Sequence, residues 1–139
     1  VFNATGIALG QFQQAEHKGA LAGRPVKIAM LPPRDVLYAR IDARFDVMLE
    51  QGAMDEVRQL MSRQLDPSLP LMKALGVTAL KAVLEQEMTV DEATYIAKRD
   101  SRHYAKRQMT WLRNNYNAQI TLNTKLSESL MESIFSLIR

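Results

Sequence analysis

Two long segments in which apolar side chains recur every three or four residues constrain the fold of this chain most strongly. The first begins just after Pro32 and Pro33, with Asp35 at the expected helix start, and contains Val36, Leu37, Ile41, Phe45, Met48 and Leu49. A helix of 3.6 residues per turn brings such residues onto one face. Gly52 interrupts the pattern before it resumes at Val57. Because glycine inside a helix costs about 1 kcal/mol relative to alanine, we expect a break there.

The second segment opens with a helix-start signal. Thr89 is followed three residues later by Glu92, which is the spacing of a capping box. We expect the helix that starts there to run to about residue 113. Three of its residues lie seven apart and are expected to share a face: Ala97, Tyr104 and Trp111.

Shorter elements fill the rest of the chain. We predict a loop at 66–70 and a helix from near Pro70 to about Gln86, with Gly76 inside it, where glycine would allow close approach of a neighbour. Further elements are a helix at about 9–18, a buried strand at 26–31, a short strand at 120–122 and a helix at 126–138. Two short strands do not form a stable sheet alone, so we expect them to join a sheet built from other residues. The fold class is therefore mainly α with one or two short strands.

Composition limits the classes of function that the chain could serve. Its 139 residues are 47% hydrophobic and 24% charged, which is typical of a globular domain. There is no cysteine, which excludes disulfides, thiolate metal sites and a cysteine nucleophile. No apolar run reaches the ~18 residues of a membrane-spanning helix, and the N-terminus lacks the basic start of a signal peptide. The chain opens on Val1 rather than Met, so we expect it to belong to a longer protein.

The densest basic segment spans residues 98–113, inside the second long helix. Three cations step by four residues and would form one stripe: Lys98, Arg102 and Lys106. Such a stripe can follow a phosphate backbone, and Gln108, Thr110 and Trp111 add base-edge hydrogen bonding and stacking that suit single-stranded RNA. Spacing alone favours the alternative, a solvated amphipathic helix whose aromatic residues lie in the core.

A second basic pair, Arg40 and Arg44, lies four residues apart on the first long helix. Together with Arg34 these side chains could bind a diphosphate. Spacing alone favours local pairing with nearby aspartates, each pair contributing about 0.2–0.5 kcal/mol. The phosphate-binding pattern GxxxxGK(S/T) does not occur in the chain.

Three motifs in order resemble the tRNA dimethylallyltransferase family. The first is LPPR at 31–34 followed by RIDARFDVMLEQG at 40–52, and the second is LPLMKALGV at 69–77. The third and most distinctive is AKRQMTWLR at 105–113. The resemblance covers nearly the whole chain up to about residue 113.

The resemblance implies transfer of a dimethylallyl group from dimethylallyl diphosphate to N6 of the adenine 3′ of the tRNA anticodon, position 37. It implies a cytoplasmic, monomeric enzyme with a P-loop α/β core, an inserted helical domain and Mg²⁺. Residues 1–24 would end the insertion, 25–123 would form the C-terminal part of the core with tRNA-binding helices, and 124–139 a C-terminal helix. The P-loop, the catalytic aspartate and the Mg²⁺ ligands would lie outside this chain, which we expect to be inactive alone.

The resemblance also assigns roles to particular residues. The tRNA would be contacted by Lys73, Ala74, Leu75, Gly76, Val77 and Thr78, and by Lys106, Arg107, Gln108, Met109, Thr110, Trp111, Leu112 and Arg113. Arg40 and Arg44 would be candidates for the diphosphate, and no metal ligand is expected in this chain.

The chain departs from the family pattern at two places. It has Val77-Thr78-Ala79 where the family usually has Tyr-Arg-Gln, so an aromatic and a cation are missing, and it has His103 and Tyr104 where Gln and Leu are common. Two other hypotheses remain at this point: a non-catalytic RNA-binding module, and a structural helical domain with no nucleic-acid role.

Overall fold

The computed structural model describes residues 5–14, 25–124 and 127–138, and most of them are helical. In chain order the elements are α1 (Leu9–Gln14), β1 (Ile28–Met30), α2 (Arg34–Glu50), α3 (Ala53–Ser62), a 3-10 helix (Pro70–Lys73), α4 (Val77–Leu84), α5 (Val90–Asn115), β2 (Ile120–Leu122) and α6 (Glu128–Ile138). The prediction of a mainly α chain with two short strands is confirmed. The domain boundaries at 24 and 123 stay predictions, and residues 15–18 of the first predicted helix lie outside the described residues.

Four helices, α2 to α5, pack around one apolar core. Its buried members are Phe45, Ala53, Val57, Ala79, Leu80, Ala93 and Ala97. The α5 helix contributes only alanines to this cluster, and small side chains let neighbouring helices approach closely. The first half of α5 is therefore held tightly between α2 and α4. Among the described helices, none combines the length and apolarity that a membrane crossing requires.

The predicted break at Gly52 is confirmed, because this glycine has a φ of 101° and separates α2 from α3. The helix starts at Arg34 and holds Asp35 in its first turn, which agrees with the expected helix start. Val36 and Met48 are exposed, so only part of the predicted apolar stripe is buried. Periodicity indicates which face is apolar, but not whether other elements cover its whole length.

The prediction of one helix from Pro70 to Gln86 is wrong. The chain forms the 3-10 helix, turns extended at Ala74, and begins α4 only after Gly76. Gly76 has a φ of 89°, which L-residues rarely adopt, and a Cβ there would lie 3.0 Å from Cε2 of Phe45. The glycine thus allows close approach, as predicted, but to an aromatic ring at a turn rather than within a helix.

The capping box at the start of α5 is confirmed. The Thr89 Oγ1 accepts a hydrogen bond from the Glu92 backbone N–H at 3.2 Å, and the Glu92 carboxylate accepts one from the Thr89 backbone N–H at 2.8 Å. The expected shared face is wrong, because Ala97 is buried whereas Tyr104 and Trp111 are exposed. A seven-residue repeat drifts by about 20° around a helix, and the core covers mainly the first half of α5.

The two short strands pair with each other in parallel, Ile28 opposite Ile120 and Met30 opposite Leu122. The strand at β1 is shorter than the predicted 26–31, and Ala29 is its buried residue. A parallel pair needs a crossover connection, which here contains α2 to α5. That further strands extend this sheet stays a prediction.

Candidate nucleic-acid interface

Two ion pairs join α2 to α5 across the helix interface. The Lys98 Nζ lies 2.5 Å from the Asp46 carboxylate, and the Arg102 Nη1 lies 2.7 and 2.8 Å from the two carboxylate oxygens of Asp42. The pairing runs in opposite directions along the helices, so α2 and α5 are antiparallel. The side chains of Lys98 and Arg102 are only 19% and 23% exposed. The prediction of one continuous cationic stripe is therefore wrong, because its first two members face α2.

In the described part of the chain, these pairs leave Arg40 and Arg44 of α2 without carboxylate partners. Asp42 and Asp46 were the expected local partners of Arg40 and Arg44, but they turn to α5 instead. Within the described residues neither arginine forms an ion pair, and both side chains belong to exposed residues. The locally paired alternative is therefore wrong, and two guanidinium groups remain free to bind an anion.

A groove of about 640 Å³ runs between α2 and α5, and we call it the inter-helix groove. Arg40 and Arg44 line one wall, with Tyr104 and Gln108 on the other and Leu75 from the turn before α4. Its remaining walls are largely apolar, formed by Leu37, Ile41, Ala43, Ser101 and Ala105. A groove that combines free cations with apolar surface suits a ligand that is both anionic and partly apolar.

A second depression of about 580 Å³ lies on the exposed side of α5 alone, and we call it the α5 groove. Its lining residues are His103, Lys106, Arg107, Thr110, Trp111, Asn114 and Asn115. The Trp111 side chain is 57% exposed, so the expectation that the aromatic residues of this helix lie in the core is wrong. The Thr110 hydroxyl donates to the Lys106 carbonyl at 2.9 Å and the Asn115 amide donates to the Trp111 carbonyl at 3.1 Å. Exposed cations, an indole and amides thus share one helix face.

Comparison with known proteins identifies the family. A family model described as IPP transferase matches residues 1–115. The chain belongs to the IPP transferase family. It is 49% identical over 115 residues to a tRNA dimethylallyltransferase of Methylorubrum populi, covering 82% of this chain and 36% of the relative. It is 44% identical over 140 residues to that of Hyphomonas neptunium, covering 100% of this chain and 44% of the relative.

Two solved structures share the fold of this IPP transferase chain. The full-length tRNA isopentenylpyrophosphate transferase of Bacillus halodurans superposes with a TM-score of 0.72 at 36% identity, over 85% of this chain and 40% of that protein. The tRNA isopentenylpyrophosphate transferase of Staphylococcus epidermidis gives 0.73 at 28% identity, over 99% of this chain and 45% of that protein. The chain thus spans about two-fifths of the length of the curated relatives that it matches.

The distinctive IPP transferase motif at 106–113 is helical, so its side chains point in different directions. Lys106, Arg107, Thr110 and Trp111 line the α5 groove, and Gln108 lines the inter-helix groove. Met109 is buried at 6% exposure. Leu112 and Arg113 line a third depression of about 400 Å³ beside the strands. Because a buried side chain is inaccessible to RNA, only the exposed members are candidates for an RNA contact.

The motif at 73–78 also divides by exposure. Lys73, Leu75 and Thr78 are exposed, whereas Ala74, Gly76 and Val77 are half-buried. Leu75 brings this motif to the inter-helix groove, where it meets Gln108 of the third motif and the two free arginines. The structure therefore brings parts of all three family motifs to one groove.

Sequence reasoning missed two features of this site. It did not assign Asp42 and Asp46 to α5, although their four-residue spacing matches that of the cations opposite. It also did not identify Tyr104 as a site residue, although the Arg107 guanidinium carbon lies 5.8 Å from the centroid of its ring in a cation–π contact.

No group of three acidic or histidine side chains in the described part of the chain could hold a metal ion such as Mg²⁺.

Proposed function

We propose that this chain forms the tRNA-contacting part of a tRNA dimethylallyltransferase. That enzyme transfers the dimethylallyl group of dimethylallyl diphosphate to N6 of the adenine 3′ of the anticodon, position 37. The observation that carries the proposal is the pair of adjoining grooves on α5, in which unpaired cations lie beside exposed aromatic rings. The names of the relatives, all tRNA dimethylallyltransferases, support the enzyme over a non-catalytic RNA-binding module.

The α5 groove has the chemistry that single-stranded RNA requires. Lys106 and Arg107 can neutralise phosphates, while the exposed Trp111 ring can stack on a base. Amide and hydroxyl groups of the same face can hydrogen-bond to base edges or riboses. An anticodon loop presents unstacked bases, which is the form of RNA that such a surface recognises.

The inter-helix groove has the chemistry that a diphosphate leaving group requires. Departure of diphosphate from the dimethylallyl carbon develops negative charge, which fixed cations stabilise. Arg40 and Arg44 are free for this task because their neighbouring carboxylates pair with α5. The apolar side chains that line the rest of the groove suit the hydrocarbon part of the same substrate. The target adenine must leave its stack before its N6 can reach such a site.

The remaining parts of the proposed enzyme lie in sequence that this chain does not span. We place the P-loop nucleotide-binding core, the catalytic aspartate and the Mg²⁺ site there, since the relatives are more than twice as long and the P-loop pattern is absent from these 139 residues. In this proposal the full-length enzyme is a cytoplasmic monomer, and this chain alone binds tRNA without catalysing transfer.

A binding titration at two salt concentrations tests the proposal. The ligand is an anticodon stem-loop with adenine 3′ of the anticodon, and the variant replaces Lys106 and Arg107 with alanine. Losing two phosphate contacts should weaken binding and reduce the slope of log K against log salt concentration, in magnitude, by roughly 1.4–1.8. The matched control, Arg58→Ala with Arg63→Ala, removes the same charge at α3 and at the residue that follows it, and neither residue lines a groove.

Equal loss in the variant and the control would mean that binding depends only on net charge. Absence of salt-dependent binding by the unaltered chain would refute the RNA role and favour a structural helical domain.

A further inference from the structure

Tyr104 lies where the two grooves adjoin. Its side chain lines the inter-helix groove, while Arg107, three residues later on α5, lines the α5 groove. The residue is 46% exposed, and no hydrogen bond or ion pair of its hydroxyl is found among the described residues. The ring is thus an apolar surface, left open to solvent, beside the free guanidinium groups of Arg40 and Arg44.

The guanidinium of Arg107 lies over the Tyr104 ring, 5.8 Å from its centroid. This contact holds a flexible cation near the boundary of the two grooves, because the ring and the guanidinium attract each other. Gln108, the next residue along the helix, offers an amide to the inter-helix groove. Aromatic surface, hydrogen-bonding amide and several cations therefore converge within about one helical turn.

A ligand that satisfies all of these groups at once must be flat and aromatic, carry polar edges and bear a phosphate. A nucleotide has this combination, whereas the hydrocarbon of a prenyl diphosphate has no aromatic face to stack. We propose that Tyr104 is the stacking platform for one nucleobase of the bound RNA, at the point where the RNA passes from the α5 groove into the inter-helix groove. This inference rests on the proposed tRNA-binding function.

The proposal makes Tyr104 a residue that contacts RNA through its ring and not through its hydroxyl. Tyr104→Leu removes the ring and keeps apolar volume and helix propensity, and Tyr104→Phe keeps the ring and removes only the hydroxyl. Loss of stacking on one base corresponds to a roughly 5- to 140-fold decrease in affinity. We expect Tyr104→Leu to weaken stem-loop binding within that range, and Tyr104→Phe to bind like the unaltered chain. Neither variant removes a charge, so both should retain the salt dependence of the original.

An abasic scan of the stem-loop separates stacking from a structural effect. Each loop nucleotide is replaced in turn by one lacking its base, and the full chain and the Tyr104→Leu variant are titrated with every RNA. We expect one position at which loss of the base weakens binding by the unaltered chain but has no further effect in the variant. Circular dichroism of both variants verifies that α5 stays folded.

Three outcomes overturn the proposal. Unchanged affinity in Tyr104→Leu would refute stacking while leaving the proposed function intact, because Lys106 and Arg107 would still show their salt-dependent effect. Equal loss in Tyr104→Phe and Tyr104→Leu would assign the effect to the hydroxyl. Absence of RNA binding by the unaltered chain would refute both the stacking and the proposed function.

Discussion

Replacing Gly76 with alanine should destabilise the chain through two separate effects. The residue has a φ of 89° and a ψ of −32°, and holding an L-residue in such a sparsely populated conformation costs about 1–3 kcal/mol. The added Cβ would also lie 3.0 Å from Cε2 of Phe45, so the ring must shift within the core. Because Phe45 is buried, that shift adds an overpacking term of about 1 kcal/mol or more.

We therefore expect Gly76→Ala to lower the free energy of unfolding by about 2–4 kcal/mol. At this chain length each kcal/mol corresponds to roughly 2–4 °C, so the Tm should fall by about 4–16 °C. Calorimetry or circular dichroism during heating measures the change. Gly52→Ala is the matched control, because Gly52 has a φ of 101° but no atom within 4 Å of the position of a Cβ. That control should lose only the backbone term, about 1–2 kcal/mol.

A double variant isolates the contact with the ring. Phe45→Leu shortens the side chain that meets the new Cβ, so Gly76→Ala should cost about 1 kcal/mol less in that background than in the original. If Gly76→Ala loses no more stability than Gly52→Ala, and if the changes at 76 and 45 are additive, then the Phe45 ring does not contribute to the cost of a Cβ at position 76.

Three further predictions concern polar contacts of α5. Asp42→Asn should lower the free energy of unfolding, measured by urea titration, by about 1–2 kcal/mol, because it leaves the largely buried Arg102 guanidinium without a charged partner. As a control, Asp55→Asn in an exposed pair should change that free energy by under about 0.5 kcal/mol. Thr89→Ala should destabilise the chain by about 1 kcal/mol through loss of the helix cap, measured in the same way. Hydrogen bonds from the Thr89 backbone N–H and hydroxyl hold the pKa of Glu92 below its ordinary value of 4.5. The stability that this carboxylate contributes is present above pH 4.5 and is lost as the pH falls through the lower folded value, so Glu92→Gln should lower the Tm at neutral pH and not in strong acid.

Local chemistry made the beginnings and breaks of helices predictable. The capping box at Thr89 depends on residues three apart, and the break at Gly52 depends on one residue, so both can be recognised without knowledge of the fold. The turn at Gly76 was not predicted, because the contact that leaves no room for a Cβ there, with the ring of Phe45, involves a residue 31 positions earlier in the chain. An apolar pattern that continues on both sides of a glycine indicates a helix until such a contact is known.

The candidate site was predicted as a set of segments but not as a surface. The family resemblance implies which stretches meet RNA, which stays a prediction, yet it does not indicate that Met109 is buried or that Trp111 is exposed. Asp42 and Arg102 pair with each other although they lie 60 positions apart in the sequence. Each has residues of opposite charge that are nearer in the sequence. Which cations remain free for a ligand is therefore decided by helix packing rather than by local charge pattern.

The antiparallel ion pairs between α2 and α5 repeat every four residues on both helices. A slip of α5 by one turn, about 5.4 Å, would pair Asp46 with Arg102 and Asp42 with Lys106, giving the same number of pairs. Electrostatics alone would thus accept either alignment of the two helices.

The core rejects the slipped alignment. The shift would move every residue of α5 into the place of the residue four positions earlier. Asp100 would then take the place of Ile96, which packs against the core, and Arg113 would take the buried position of Met109. Apolar burial along α5 therefore determines the electrostatics of the surface, since it keeps Lys106 out of the pairing with α2. A polar substitution at Ile96 would weaken this constraint without touching any charged residue.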